Sequence, residues 1–384
     1  MKKATHWFRS FAAGIFTTLA VLVLLAVTAG LLMVIATGGT PKTRQFSGTN
    51  LGTVERFYLN ADNAIHDAIP DVVKTQKKYK ITGDTEIPPQ PNRDCYGHAD
   101  SPAELAQVIA DAQKLLDGQE LYFSGFSEVY DKYGVEYYFD DTILAITWKQ
   151  VINGTMYTFS EVKIADASQF RRYLAGGEYA SGKLVYATEM ANTVHAVVAS
   201  SGDYFGYRTA GTVVYNGSVC RVNNTADTCY IDKNGDMLFS HIYSPMDQAS
   251  MERFVEENDI RFSLAFGPIL VENGQPNSFG GYPLGEVSDQ NARAAICQMG
   301  KLHYLLVNAC GEDGHALPNM YQFARQVAET GCINAYALDG GQTTALVMDN
   351  TLVNRVLLNY QRKISDIIYF ATAIPDNPHK ERET

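Results

Sequence analysis

Four short stretches of the chain join charged or hydroxyl side chains to glycines at the ends of apolar runs, where ligands can approach the backbone. Ser201-Gly-Asp-Tyr-Phe-Gly-Tyr-Arg208 follows the apolar run His195–Ala199. Asp203 offers a carboxylate and Arg208 a planar cation suited to phosphate. The same residues would also make a tight turn in which Asp203 bonds local N–H groups. Asn291-Ala-Arg-Ala-Ala-Ile-Cys297 sets Arg293 at the start of an apolar strand, facing either solvent or a cleft. In Asn334-Ala-Tyr-Ala-Leu-Asp-Gly-Gly-Gln-Thr-Thr344 an apolar strand runs into Asp339, Gly340 and Gly341. That places one carboxylate beside two open glycines, although Asp-Gly between apolar runs is equally an ordinary hairpin turn. Ala265–Gly274 (AFGPILVENG) reads as a structural hairpin, with Glu272 as a turn-flanking charge.

The histidines add little. His195, His241, His303 and His315 show no metal-ligand spacing, and only His195 lies near one of these stretches, a few residues before Asp203. No Cys-x-x-Cys or His-Glu-x-x-His occurs, so no metal site is assigned and the cofactor, if any, is unknown.

The elements that must position these groups follow from turn and cap signals. Ser101-Pro-Ala-Glu predicts a capped helix start, with Leu105, Val108, Ile109, Ala112, Leu115 and Leu116 as its apolar stripe and Gly118 as its stop. Strands over Thr142–Val151 and Gly154–Ile164 are predicted to turn at Asn153-Gly154, a type I′ signal repeated at Asn216-Gly217 and Asn273-Gly274. Helices are expected at 167–174, Ser250–Asn258 and Pro318–Thr330, and strands at 302–309, 333–338 and 344–348. Strands and helices alternate without βαβ regularity, which predicts an α+β fold with a mixed, largely antiparallel sheet and packed helices, preceded by one N-terminal transmembrane helix.

That helix is the uncharged run Phe11–Thr37, preceded by Lys2, Lys3 and Arg9. A span needs roughly 20 apolar residues, more than a signal peptide carries. The expected organisation is a cytoplasmic head (1–10), an anchor (11–37), a stalk (38–100), a helical part (101–139) and a main domain (140–375), lying outside the cytoplasm. Of the six cysteines, Cys220 and Cys229 bracket a short polar stretch and would be the first to bridge in an exported domain; buried thiols are the alternative. The net charge of -11 and the lack of basic runs exclude nucleic acid as a partner.

In their order, SGDYF at 201–205, ARAAIC at 292–297 and ALDGGQTT at 337–344 resemble the phosphodiester glycosidase family, in both its lysosomal uncovering-enzyme type and its bacterial, exopolysaccharide-related branch. The resemblance covers about residues 140–372. Four motif positions depart from it: Ser201 stands for an Asn, Cys297 for a Gly, Gln342 for the third Gly and Ala337 for the Asn before Leu-Asp. It implies a hydrolase that cleaves sugar 1-phosphodiesters of envelope or exopolysaccharide material, and the run Phe11–Thr37 makes that hydrolase membrane-anchored and extracytoplasmic. Asp339 and Asp203 would be catalytic. Arg208, Arg293, Tyr204, Gly340, Gly341, Thr343 and His195 would bind substrate and phosphate. A non-catalytic glycan-binding or assembly domain of the same fold is the other reading.

Overall fold

The computed structural model describes residues 80, 81, 83, 85–126, 129, 134–244, 246–283 and 287–374. The expected head, the anchor and most of the stalk lie outside them, and among the described residues no helix is long and apolar enough to cross a membrane.

The strands in chain order are β1 (Tyr96–Ala99), β2 (Val135–Asp140), β3 (Ile143–Ile152), β4 (Thr155–Ile164), β5 (Phe170–Leu174) and β6 (Val198–Ser201). Next come β7 (Val213–Tyr215), β8 (Ser218–Arg221), β9 (Thr228–Ile231), β10 (Met237–Ser240), β11 (Phe262–Leu264), β12 (Ile269–Glu272) and β13 (Gln275–Pro276). The last are β14 (Arg293–Gly300), β15 (His303–Ala309), β16 (Asn334–Leu338), β17 (Leu346–Met348), β18 (Thr351–Leu352) and β19 (Asp366–Phe370). The helices are α1 (Pro102–Asp111), α2 (Gln113–Leu116), α3 (Ala187–Thr193), α4 (Gln248–Glu257) and α5 (Met320–Ala328).

Turn chemistry sets the hairpins. Asn153 and Gly154, Asn216 and Gly217, and Asn273 and Gly274 all adopt positive φ, as a type I′ turn requires. A nine-stranded sheet runs β1-β2-β3-β4-β15-β14-β16-β12-β13, and a five-stranded one β18-β17-β6-β19-β5. Both are antiparallel throughout. This is the mixed fold of large antiparallel sheets and few helices that the sequence pattern predicts.

Alternation along the strands divides the core into layers. Ile296, Leu306 and Tyr336 of the large sheet meet Phe170, Val198 and Ile368 of the small one. On the outer face of the large sheet, Ala295 and Val307 pack under Leu105 of α1 and Phe323 and Val327 of α5. On the outer face of the small sheet, Ile367 and Tyr369 pack under Met190 and Ala191 of α3. Each of the larger aliphatic and Phe side chains contributes about 1.5–3 kcal/mol by leaving water, enough to fix which face a strand turns inward.

Several expectations change. Residues 167–174 are not a helix: a single turn at Ala167–Gln169, boxed by Asp166, leads into β5. β5 is buried on both faces and so shows no period of two in its sequence. Tyr96–Ala99, read as the end of a stalk, pairs with β2 at the edge of the large sheet. Ser101 makes no cap bond, and Glu104 instead accepts from the Asp100 N–H. Cys220 and Cys229 are not bridged; all six cysteines are thiols, and the pair in hydrogen-bonding contact is Cys297 with Cys332.

Candidate active site

Two strand ends from different sheets meet at one point. β6 leaves the small sheet through Ser201 and Gly202, and β16 leaves the large sheet through Leu338 and Asp339. The Asp339 N–H donates to the Gly202 carbonyl at 2.9 Å, and Ser201 Oγ donates to the Asp339 carbonyl at 2.9 Å. Both glycines beside these carboxylates are required by space. A Cβ on Gly202 would lie 2.3 Å from Asp366 Oδ2, and one on Gly340 would lie 2.7 Å from the Ala292 carbonyl.

β19 begins at the same point with Asp366. Its Oδ1 accepts the Asp203 N–H at 3.0 Å, and its Oδ2 accepts the Arg172 Nε–H at 2.7 Å. Arg172, reaching in from β5, also donates from Nη2 to Asp203 Oδ2 at 3.1 Å, and from Nη1 to the Ser263 carbonyl. Asp203 Oδ2 accepts a second bond, from the Ala265 N–H at 2.8 Å. The Phe205 ring covers the guanidinium, 5.3 Å away. Burial works against the Arg172 charge, but Asp366 and Asp203 outweigh it and its pKa ends above the ordinary value.

Two carboxyls therefore share one buried cation, and a third, Asp339, lies close enough to feel the charges of both. Two like charges about 4 Å apart repel by about 4 kcal/mol at the effective dielectric of a protein, so one carboxyl gains by holding a proton. The geometry shows which. Asp366 and Asp203 each accept from Arg172 and a backbone N–H; burial, with Arg172 pulling the other way and Asp203 adding to it, still pushes the Asp366 carboxyl up to about 7. Asp339 has no such partner. Burial, followed by the charges of Asp366 and Asp203, pushes its carboxyl up to about 8, with Arg362 acting the other way. Donation from Thr343 would lower it too, yet the single Thr343 hydroxyl proton goes to the Gly340 carbonyl at 2.5 Å. The hydroxyl can then only accept from Asp339, which suits the acid form. Asp339 is also the most accessible of the three, 6% exposed against 1% for Asp203 and 0% for Asp366.

The other expected site residues divide. Gly341 donates its N–H to the Ala292 carbonyl at 2.7 Å and stays beside Asp339. Arg208 is spent on structure: its Nη2 donates to the carbonyls of Phe266 and Ala265, at 2.5 and 3.3 Å, with the Phe266 ring beneath it. It thereby fixes the loop whose Ala265 N–H holds Asp203. Arg293 falls on the same face of β14 as Ala295 and Cys297, toward α5, where its Nη2 donates to the Asp289 carbonyl at 2.7 Å. That is the face opposite the gap between the sheets. His195 stands at the other end of β6 from Asp203, its Nδ1 2.7 Å from the Pro88 carbonyl.

Sequence reasoning missed Arg172, Asp366 and Arg362. Two adjacent arginines inside an apolar run, Phe170-Arg-Arg-Tyr-Leu174, and one aspartate heading Ile-Ile-Tyr-Phe were the available signals. Arg362 sits over Tyr207 at 5.1 Å and Tyr204 at 6.0 Å. A cavity of about 870 Å3, lined by Lys80, Asp166, Lys233 and Glu256 among others, contains none of these residues. Among the described residues no group of histidines, cysteines and carboxylates is placed to hold a metal ion.

Residues 192–371 match the family model of phosphodiester glycosidases. The matched stretch holds Asp203, Asp339 and Asp366 and begins after Arg172. No match to a curated protein is found. Among solved structures the chain is similar to the zebrafish N-acetylglucosamine-1-phosphodiester alpha-N-acetylglucosaminidase catalytic domain auto-inhibited by its pro-peptide. The two share 17% identity over 60% of this chain and 82% of that one, with a TM-score of 0.48. A hypothetical protein from Synechocystis is similar at 14% identity over 61% of this chain and 63% of that one, with a TM-score of 0.45.

Proposed function

We propose that this domain hydrolyses the bond between an anomeric carbon and the phosphate of a sugar 1-phosphodiester. The observation that carries the reading is the juxtaposition of Asp339, whose carboxyl burial pushes up to about 8, with Asp203 and Asp366, which both bond to Arg172. Glycoside hydrolysis asks for that contrast, one carboxyl as acid and another as base or charge stabiliser. Asp339 would give its proton to the departing phosphate oxygen as the C1–O bond breaks. Asp203, whose Oδ1 takes no hydrogen bond among the described residues, would stabilise the positive charge at C1 or draw a proton from the attacking water. The phosphate is already a good leaving group, so a modest acid suffices. The match to phosphodiester glycosidases supports the substrate class.

The place of action follows from the other end of the chain. The uncharged run Phe11–Thr37 behind Lys2, Lys3 and Arg9 supports a membrane anchor with the domain on the outer side. Sugar phosphates of envelope polymers or exopolysaccharide are the substrates within its reach. Full-length protein in detergent, incubated with a panel of sugar 1-phosphodiesters, should release free reducing sugar. Binding to these compounds without any release would overturn hydrolysis and leave a glycan-binding domain.

A further inference from the structure

We propose that Arg362, seated on Tyr204 and Tyr207, forms the subsite that grips the departing phosphate, and so sets the preference for phosphodiesters over simple glycosides. The inference rests on the hydrolase reading above and assigns one part of it. The expected phosphate cations, Arg208 and Arg293, are engaged with backbone carbonyls, and Arg172 is sealed between two carboxylates. An acidic chain that binds a phosphate beside three carboxyls needs a cation elsewhere.

Arg362 meets that need. Among the described residues it forms no salt bridge, and it is the cation that acts on the charge of Asp339. Its seat is built: the rings of Tyr204 and Tyr207 stack with centroids 4.7 Å apart and planes 20° apart, and the guanidinium lies over both. Hydrogen bonding to Tyr204 raises its pKa above the ordinary value, against the effect of burial and with a lesser contribution from Tyr207. Its place beside the stacked pair holds the guanidinium at the mouth of the site, with five N–H donors of which those not turned to the two phenols can meet phosphate oxygens. Tyr207 is 45% exposed and Tyr360, two residues before Arg362, 59% exposed, so the platform opens to solvent at the rim while Asp339 lies within. A substrate would then enter with its sugar toward Asp339 and its phosphate against Arg362.

The test uses full-length protein and two substrates with the same sugar, a 1-phosphodiester and a 4-nitrophenyl glycoside that lacks phosphate. In Arg362→Ala the ratio of kcat/KM, phosphodiester over nitrophenyl glycoside, should fall by about tenfold to a hundredfold, as loss of a charge-assisted bidentate contact implies. Arg362→Lys should recover part of that loss, because charge returns without the planar fork. An unchanged ratio overturns the inference, whether both activities drop or neither does. Calorimetric binding of dimethyl phosphate is read in parallel, without turnover. If wild type cleaves neither substrate, the hydrolase reading falls and this titration decides alone. Binding that Arg362→Ala abolishes upholds the subsite, and binding equal in both proteins, or absent from wild type, removes it.

Discussion

The Asp339 N–H and the Gly202 carbonyl oxygen, 2.9 Å apart, splice the end of one sheet to the end of another. Everything reactive hangs on that bond. It sets the Asp339 carboxyl next to the residue that follows Gly202, and it leaves no room for a side chain at Gly202 itself, where Asp366 crosses.

Replacing Asp339 by Asn keeps the shape of the group and removes the proton that the proposed hydrolysis requires of it. Sugar release should fall by about a hundredfold or more, the usual loss when a general acid–base group is deleted. The melting temperature should hold or rise, since a buried carboxyl among carboxylates is replaced by a neutral group. Undiminished turnover would take Asp339 out of the mechanism.

The raised pKa of Asp339 has a thermodynamic counterpart. Its carboxyl moves from an ordinary 3.8 to about 8 in the folded protein. Between those values the folded state holds a proton that the unfolded chain has lost, so this group's contribution to stability declines as pH rises toward 8. Melting curves of wild type and Asp339→Asn should lie close together near pH 4 and separate as pH rises, wild type falling below the variant toward pH 8. Activity that depends on the acid form should decay above about pH 8. Parallel melting curves would show that Asp339 titrates normally.

Arg172 holds two carboxylates with side chains almost wholly buried, at 2.7 and 3.1 Å. Arg172→Met leaves both without their cation and should cost about 3–5 kcal/mol in denaturant unfolding. Adding Asp366→Asn to that variant should recover part of the loss, because one stranded charge disappears. A double variant as unstable as the sum of its parts would mean that the two residues act independently.

Arg293→Ala should behave as a structural lesion. Its guanidinium bonds the Asp289 carbonyl on the helix side of the large sheet, so the cost should be about 1–3 kcal/mol of stability, with KM nearly unchanged. A large rise in KM without loss of stability would return Arg293 to the phosphate site.

Full-length protein should sediment with membranes and resist a high-salt wash, as a span over Phe11–Thr37 requires. Protein extracted by salt and lacking those residues would mean that the run is a cleaved leader.

Local chemistry was legible and distant chemistry was not. The three Asn-Gly hairpins read correctly because a type I′ turn is decided by the two residues that make it. α5 read correctly because Phe323, Ala324 and Val327 mark one face against a sheet. β5 was misread because both its faces are buried, and burial erases the alternation that identifies a strand. Its Arg172 gained meaning only from Asp366, whose position in space no spacing reveals. Arg293 lay in a motif and was given the motif's role, whereas the alternation along β14 turns it to the helix side. Asp203 and Asp339 stood out because glycine beside a carboxylate marks close backbone approach, whatever the partner.

The strand order β17-β6-β19-β5 also governs when the protein can mature during synthesis. β5 and β6 emerge from the ribosome early, yet the strand that fills the slot between them is β19, the most C-terminal of the described strands. Until it arrives, Arg172 has no Asp366 and the small sheet has a gap at its centre. A chain truncated before β19 would therefore carry a small sheet open at its centre and an Arg172 without its Asp366 partner, so these carboxyls come together only after that strand has been made.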